Sequence, residues 1–142
     1  MTTDIVVYHN PDCGTSRNVL AFIRASGVEP EIIDYLSTGW TRPQLLALFA
    51  AADLTPRSAL RVTKSPAAEM GLLDPSVPDD TLMEAMLSHP ILVNRPIVAS
   101  PRGVRLCRPS EQVFALLDGR PQGPVFKEDG QMVIDGAGRL VA

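Results

Sequence analysis

Residues 5–16 have the sequence IVVYHNPDCGTS, in which a run of apolar residues stops and a helix begins. The apolar run does not alternate with polar residues, which is typical of a central strand covered on both faces. Pro11 and Gly14 then interrupt the pattern before apolar residues at helical spacing start near Val19. Cys13 therefore lies at a predicted helix N-terminus, where free backbone N–H groups and the helix dipole favour an anion. This position predicts a nucleophilic thiol, with a pKa lowered from about 8.5 into the range of roughly 3.5–7.5.

The rest of the chain continues the alternation of strands and helices. A strand at about 4–9, a helix at about 15–26 and a strand at 31–35 form a crossover unit, which predicts a parallel strand pair. The later predicted elements are a helix from about 42, a helix after Asp79-Asp80, a hairpin of strands at 96–99 and 104–107, and a last helix capped by Ser110. The tail from Gly123 is expected to be irregular or weakly paired. This order predicts an α/β protein that resembles the thioredoxin-like fold, with a helical insert between the βαβ unit and the C-terminal hairpin and helix.

Composition narrows the class of protein. The 142 residues, 45% hydrophobic and 20% charged, suit a single domain over residues 1–142. A formal net charge of −3 gives little general attraction for nucleic acid or an anionic membrane. We find no leader and no apolar segment long enough to span a bilayer, so we expect a cytoplasmic protein. Two cysteines and two histidines do not favour a zinc site.

The segment Cys13-Gly14-Thr15-Ser16 occupies the place of the C-x-x-C pair of thioredoxin-like proteins, with serine as its last residue. Ser16 excludes a vicinal disulfide, so a redox reaction at Cys13 needs a second thiol from a small thiol or a thiol-transfer protein. Alternatively, Cys13 is a small buried apolar residue, which is the commoner fate of free cysteines. Cys107, on a predicted strand, is either a core thiol or a resolving partner.

Three polar residues near Cys13 are candidates for supporting a thiolate. His9 would keep the thiolate ionised as a nearby partial or full positive charge, while Asn10 and Ser16 would donate hydrogen bonds. The alternative for His9 is that it simply ends the strand.

Arg61, Arg95 and Arg108 stand outside any run of charges. The guanidinium group is planar and always charged, so several that converge would bind a tetrahedral oxyanion. Taken singly, each is better explained as a solvated surface residue. In thioredoxin-like folds a cis-proline at the position of Pro96 faces the redox cysteine, which would carry Arg95 toward Cys13.

Three segments together resemble the glutaredoxin-dependent arsenate reductases: residues 8–18 (YHNPDCGTSRN), 89–98 (HPILVNRPIV) and 105–111 (RLCRPSE). The similarity extends over essentially the whole chain. It implies that Cys13 is the nucleophile, that His9 and Ser16 assist the thiolate, and that three arginines hold arsenate and the arsenic intermediate. Those arginines are Arg61, Arg95 and Arg108, with Arg57 as a nearby competitor of Arg61. The tail at 119–142 departs in detail and is expected to carry nothing that the mechanism requires.

The resemblance also implies the reaction. Arsenate would be reduced to arsenite through a thiol–arsenate ester on Cys13, with glutathione as co-substrate, glutaredoxin as partner, and no bound cofactor or metal. A single nucleophilic sulfur independently requires an external electron donor.

Three other functions are alternatives to arsenate reduction. A phosphatase-like enzyme would need an arginine six positions after the cysteine, where this chain has Val19. A regulator similar to the Spx proteins that bind RNA polymerase would use a C-x-x-C switch, which Ser16 breaks. A monothiol oxidoreductase would act on glutathione mixed disulfides but not on arsenate. In such a protein the three arginines need not converge on Cys13, so their convergence would favour an arsenate reductase.

Overall fold

A four-stranded sheet lies at the centre of the protein, whose residues 4–141 are described by a computed structural model. The strands and helices are β1 (Val6–His9), α1 (Gly14–Ala25), β2 (Glu31–Asp34), α2 (Tyr35–Thr38), α3 (Arg42–Ala51), α4 (Asp79–Ser88), β3 (Ile97–Ser100), β4 (Gly103–Leu106), β5 (Val125–Phe126) and β6 (Met132–Ile134). Two 3-10 helices cover Pro90–Leu92 and Ser110–Leu116. Between α3 and α4 the chain is made of turns.

The sheet has the strand order β2-β1-β3-β4. β1 and β2 pair in parallel, as the crossover unit predicts, and β3 and β4 form an antiparallel hairpin. β3 also runs antiparallel to β1, with Tyr8 opposite Ile97, and Ile97 in turn lies opposite Leu106. The end of β1, the start of β3 and the end of β4 therefore meet at one end of the sheet.

Two hydrophobic clusters pack against the sheet. Neighbouring residues of a strand point to opposite faces, so Val7 and Val98 enter one cluster while Tyr8 and Ile97 contact the other. The first cluster, around the helical insert, contains Tyr35, Trp40, Leu45, Phe49, Leu82, Met86 and Ile97. The second, around α1, contains Val7, Val19, Phe22, Val98, Cys107, Phe114, Val133 and Ile134.

One prediction about the C-terminal part of the chain needs correction. Ser110 does not cap an α-helix: it is the first residue of a 3-10 helix, and the position before it is held by Pro109 without a side-chain cap. The buried pair Val113 and Leu116 lies three residues apart, which matches the three-residue turn of that helix. The tail is weakly paired, as expected, but it is not peripheral, because Ile134 is fully buried in the second cluster.

Within residues 4–141, no helix combines the length and the apolar character needed to cross a membrane. The same residues contain no group of three or more His, Cys, Asp or Glu side chains placed to hold a metal ion.

Candidate active site

Cys13 lies in the turn between β1 and α1, where it occupies the N-cap position of the helix. The turn is closed by Asn10, whose carbonyl oxygen accepts from the Cys13 N–H at 3.1 Å. The Asn10 side chain is buried, and its oxygen accepts from the Asp12 N–H at 2.9 Å. Asn10 thus shapes the turn that presents the thiol, and its predicted hydrogen bond to the sulfur is not observed among residues 4–141.

The environment of Cys13 lowers the pKa of its thiol. Burial opposes ionisation, since the residue is only 6% exposed. Four groups oppose the effect of burial and lower the pKa. In decreasing order of effect they are the backbone N–H of Ser16, the charge of Arg95, the guanidinium of Arg108 and the backbone N–H of Thr15. The Arg108 Nη1 atom lies 3.8 Å from the Cys13 Sγ atom. The helix N-terminus and two arginines together favour the thiolate.

Arg61 reaches the site through backbone pairing with the segment that precedes β3. The Arg61 N–H donates to the carbonyl of Leu92 at 2.8 Å, and the Asn94 N–H donates to the carbonyl of Ala59 at 2.7 Å. This short antiparallel bridge sets Arg61 beside Arg95. The guanidinium of Arg61 is buried, and burial together with the Arg95 charge lowers its pKa.

Arg95 and Arg108 each precede a cis-proline, Pro96 and Pro109. The cis peptide before Pro96 agrees with the expectation from the fold. Arg108 Nη1 donates to the Arg95 carbonyl at 3.1 Å, which holds the two residues together. Arg95 is buried, and its Nε atom has no hydrogen-bond partner in the described part of the chain. A buried guanidinium with a free donor is ready to accept an anion.

In the described part of the chain, the three arginines differ from several other arginines in having no carboxylate counterion. Arg17, Arg24, Arg42 and Arg102 each form an ion pair with a carboxylate. Among residues 4–141, no ion pair involves Arg61, Arg95 or Arg108. Burial lowers the pKa of Arg61 most, and the charges of Arg95 and Arg108 lower it further; a bound oxyanion would relieve this repulsion.

His9 and Ser16 form a pair beneath the turn. The His9 Nδ1 atom lies 2.6 Å from the Ser16 hydroxyl, which also accepts from the Asn10 N–H at 3.1 Å. Burial lowers the pKa of His9 and outweighs the charge of Asp34, so the imidazole is favoured in its neutral form. His9 therefore touches the first turn of α1, and through Ser16 it supports the backbone N–H that faces the sulfur.

Tyr35 is a site residue that the sequence analysis missed. Its ring is buried, its hydroxyl donates to the Val93 carbonyl at 3.4 Å, and burial raises its pKa to about 12. The charges of Arg61 and Arg95 act on the same hydroxyl and oppose this rise, so the hydroxyl lies near both arginines. In the sequence Tyr35 looked like the last residue of a strand, so nothing in the pattern distinguished it.

Arg57, the competitor of Arg61, lies elsewhere. Its guanidinium donates to the carbonyls of Leu72, Asp74 and Val77 at 2.7, 3.0 and 3.1 Å. All its observed partners belong to the turns of the helical insert, which assigns Arg57 to the fold and leaves Arg61 as the arginine beside Arg95.

Cys107 is fully buried in the second cluster, and burial raises its pKa to about 12. Both cysteines are free. A neutral, inaccessible thiol suits the core and does not suit a resolving cysteine.

Comparison with known proteins identifies the family of this chain. Residues 8–116 match the model of the ArsC family. The chain is 65% identical over 137 residues to "Arsenate reductase ArsI2" of Synechocystis sp., covering 96% of this chain and 98% of that protein. It is 50% identical over 137 residues to the arsenate reductase of Escherichia coli K12, covering 96% and 97%. A solved structure of arsenate reductase from Vibrio cholerae superposes with a TM-score of 0.76 at 36% identity, covering 82% of this chain and 100% of that one. With its cysteine turn inside the matched segment and near-complete coverage of these relatives, the chain belongs to the ArsC family.

Proposed function

We propose that this protein reduces arsenate to arsenite, with Cys13 as the nucleophile and Arg61, Arg95 and Arg108 as the oxyanion-binding residues. The observation that carries the proposal is a thiol with a lowered pKa beside guanidinium groups that form no ion pair with any carboxylate of residues 4–141. The names of the relatives supply the substrate, and the site supplies the chemistry that a tetrahedral arsenic oxyanion requires.

The first step is a substitution at arsenic. The Cys13 thiolate attacks the pentavalent arsenic, an As–S bond forms, one As–O bond breaks, and the oxygen leaves as water after protonation. The charges of Arg95 and Arg108 act on the Cys13 sulfur, so their guanidinium groups would stabilise negative charge on the remaining oxygens. The product is a thiol–arsenate ester on Cys13.

Reduction requires two thiols from outside the protein. Ser16 occupies the position at which a C-x-x-C pair has its second cysteine, and Cys107 is buried in the core. Glutathione forms a second As–S bond with loss of water. A glutaredoxin thiolate then attacks the glutathione sulfur: an S–S bond forms, that As–S bond breaks, and its electron pair stays on arsenic, which becomes trivalent. Water hydrolyses the remaining As–S bond, which releases arsenite and regenerates Cys13. Such a cycle belongs in the reducing cytoplasm, where it would serve arsenic detoxification.

The test is an arsenate-dependent reductase assay with glutathione and glutaredoxin, in which each donor is omitted in turn. We expect turnover to require both donors and arsenate. Arg95→Ala should lower turnover on the order of a hundredfold or more, because it removes one donor to the oxyanion. The control is Arg105→Ala, since Arg105 is exposed and donates to Gln112 outside the site. Turnover with thioredoxin alone, or activity on glutathione mixed disulfides without any arsenate reduction, would contradict the proposal.

A further inference from the structure

The C-terminal hairpin, formed by β5, β6 and the turn between them, packs against the start of α1. The Glu128 carboxylate accepts from Arg17 Nε at 2.9 Å and from Arg17 Nη2 at 3.1 Å. The Glu128 N–H donates to the Asn18 side-chain oxygen at 3.0 Å, and Lys127 forms an ion pair with Glu111 at 2.9 Å. Three residue pairs, two with α1 and one with the second 3-10 helix, thus fix the hairpin beside the helix that carries Cys13.

The Arg17 guanidinium also reaches the cysteine turn. Its Nη1 atom donates to the Pro11 carbonyl at 2.9 Å, two residues before Cys13. A Cβ atom at Gly14 would lie 3.6 Å from both Arg17 Nη2 and Glu128 Oε1, so the ion pair lies directly over the first residue of α1. Arg17 therefore joins the hairpin to the turn through three donors of one planar group.

We propose that Glu128 is a positioning residue for Cys13: it orients the Arg17 guanidinium, which in turn holds the Pro11 carbonyl and keeps the thiol aligned with the backbone N–H groups of α1. The inference rests on the proposed role of Cys13 as nucleophile and extends it to the tail, which the sequence analysis expected to carry nothing that the mechanism requires.

The exposure of the pair argues for a role in orientation. The side chains of Arg17 and Glu128 are 45% and 52% exposed, and exposed ion pairs contribute little to stability. A bidentate contact, however, fixes the plane of the guanidinium, which a lone arginine with its many rotamers would not keep. The hydrogen bond to Pro11 depends on that plane.

The variant Glu128→Gln distinguishes a positioning role from a direct electrostatic effect, because the two would shift the pKa of Cys13 in opposite directions. Glu128 is an anion near the helix N-terminus, so its neutralisation alone would favour the thiolate and lower the pKa of Cys13. Loss of alignment has the opposite effect and raises that pKa. We expect the pH midpoint of Cys13 alkylation by iodoacetamide to rise, and kcat for arsenate to fall on the order of tenfold with less change in KM, because misplacement of a reacting atom by about 1 Å can cost a hundredfold.

Two further variants complete the experiment. Arg17→Lys keeps the charge but has a single donor group, so it should shift the alkylation midpoint in the same direction as Glu128→Gln. The matched control is Glu29→Gln, which frees Arg24 from a similar bidentate contact beyond the other end of α1 and should change neither readout.

The outcomes distinguish this inference from the proposed function. An alkylation midpoint that is unchanged or lower in Glu128→Gln, with circular dichroism showing a folded protein, would refute the positioning role. Full reactivity of Arg17→Lys would refute it as well. Since alkylation is measured without arsenate, a wild-type protein that alkylates readily but does not reduce arsenate would count against the proposed function alone.

Discussion

The two cysteines of this protein are both buried and yet differ in chemistry because of their neighbours. Around Cys13, backbone N–H groups and two arginines outweigh the effect of burial and lower the thiol pKa. Around Cys107, burial dominates and raises the pKa to about 12, although Arg105 acts in the opposite direction. The opposite pKa shifts of Cys13 and Cys107 thus show how a helix N-terminus and nearby arginines change the chemistry of a buried thiol.

This contrast predicts the pH dependence of alkylation. Because the pKa of Cys13 is lowered, its thiolate is already present below the ordinary thiol pKa of about 8.5, and the rate should level off before that pH. Iodoacetamide and mass spectrometry should find Cys13 as the alkylated residue of the folded protein, with Cys107 modified only after unfolding. Cys13→Ser should abolish both alkylation and turnover, whereas Cys107→Ser should keep most of the activity. A midpoint at or above 8.5, or preferential labelling of Cys107, would contradict this assignment.

Local sequence was sufficient to place Cys13 at a helix N-terminus, because a strand end, a turn and a helix start are contiguous in the chain. It was not sufficient for Tyr35, because the hydroxyl is affected by the charge of Arg61, a residue that is distant in the sequence. Nor could it find the contact between Arg17 and Glu128, which lie 111 residues apart. The family and the fold predicted from the motifs are confirmed by the comparisons.

At the scale of elements, the helical insert uses two arginines for two purposes. Arg57 donates to three backbone carbonyls of the insert. Arg61 donates to only one that is observed, the Thr63 carbonyl at 3.0 Å, and its guanidinium is subject to the charge of Arg95. The sequence places them four residues apart without distinguishing them. The distinction comes from the bridge between Leu60 and Val93, which draws only the end of this segment to the sheet.

The division between the two arginines predicts opposite effects of their replacement. Arg57→Ala should lower the free energy of unfolding by about 2 kcal/mol, because carbonyls of the insert lose a charged donor. Its effect on arsenate turnover should be small. Arg61→Ala should lower kcat/KM for arsenate on the order of a hundredfold and leave the unfolding midpoint in urea nearly unchanged. Each variant is the control for the other, and an exchange of the two outcomes would make Arg57 the oxyanion ligand.

At the scale of the whole molecule, the tail completes one of the two clusters that pack against the sheet. Ile134 and Val133 of β6 pack with Phe22 of α1 and Phe114 of the second 3-10 helix, whose rings stack at 5.2 Å. Trp40 lies in the other cluster. The two clusters share the strands between them, so we expect them to unfold together.

Replacement of Ile134 tests this coupling from one face of the sheet to the other. Ile134→Ala removes a fully buried side chain and should cost about 3 kcal/mol of unfolding free energy. If the clusters unfold as one unit, the urea midpoint measured by the fluorescence of Trp40 should fall together with the midpoint measured by circular dichroism. The control, Met132→Ala, lies in the same strand but is 38% exposed and should cost less than about 0.5 kcal/mol. A Trp40 transition that stays in place while the circular dichroism signal moves would mean that each cluster unfolds alone, and that the tail stabilises only the face of the sheet that carries α1.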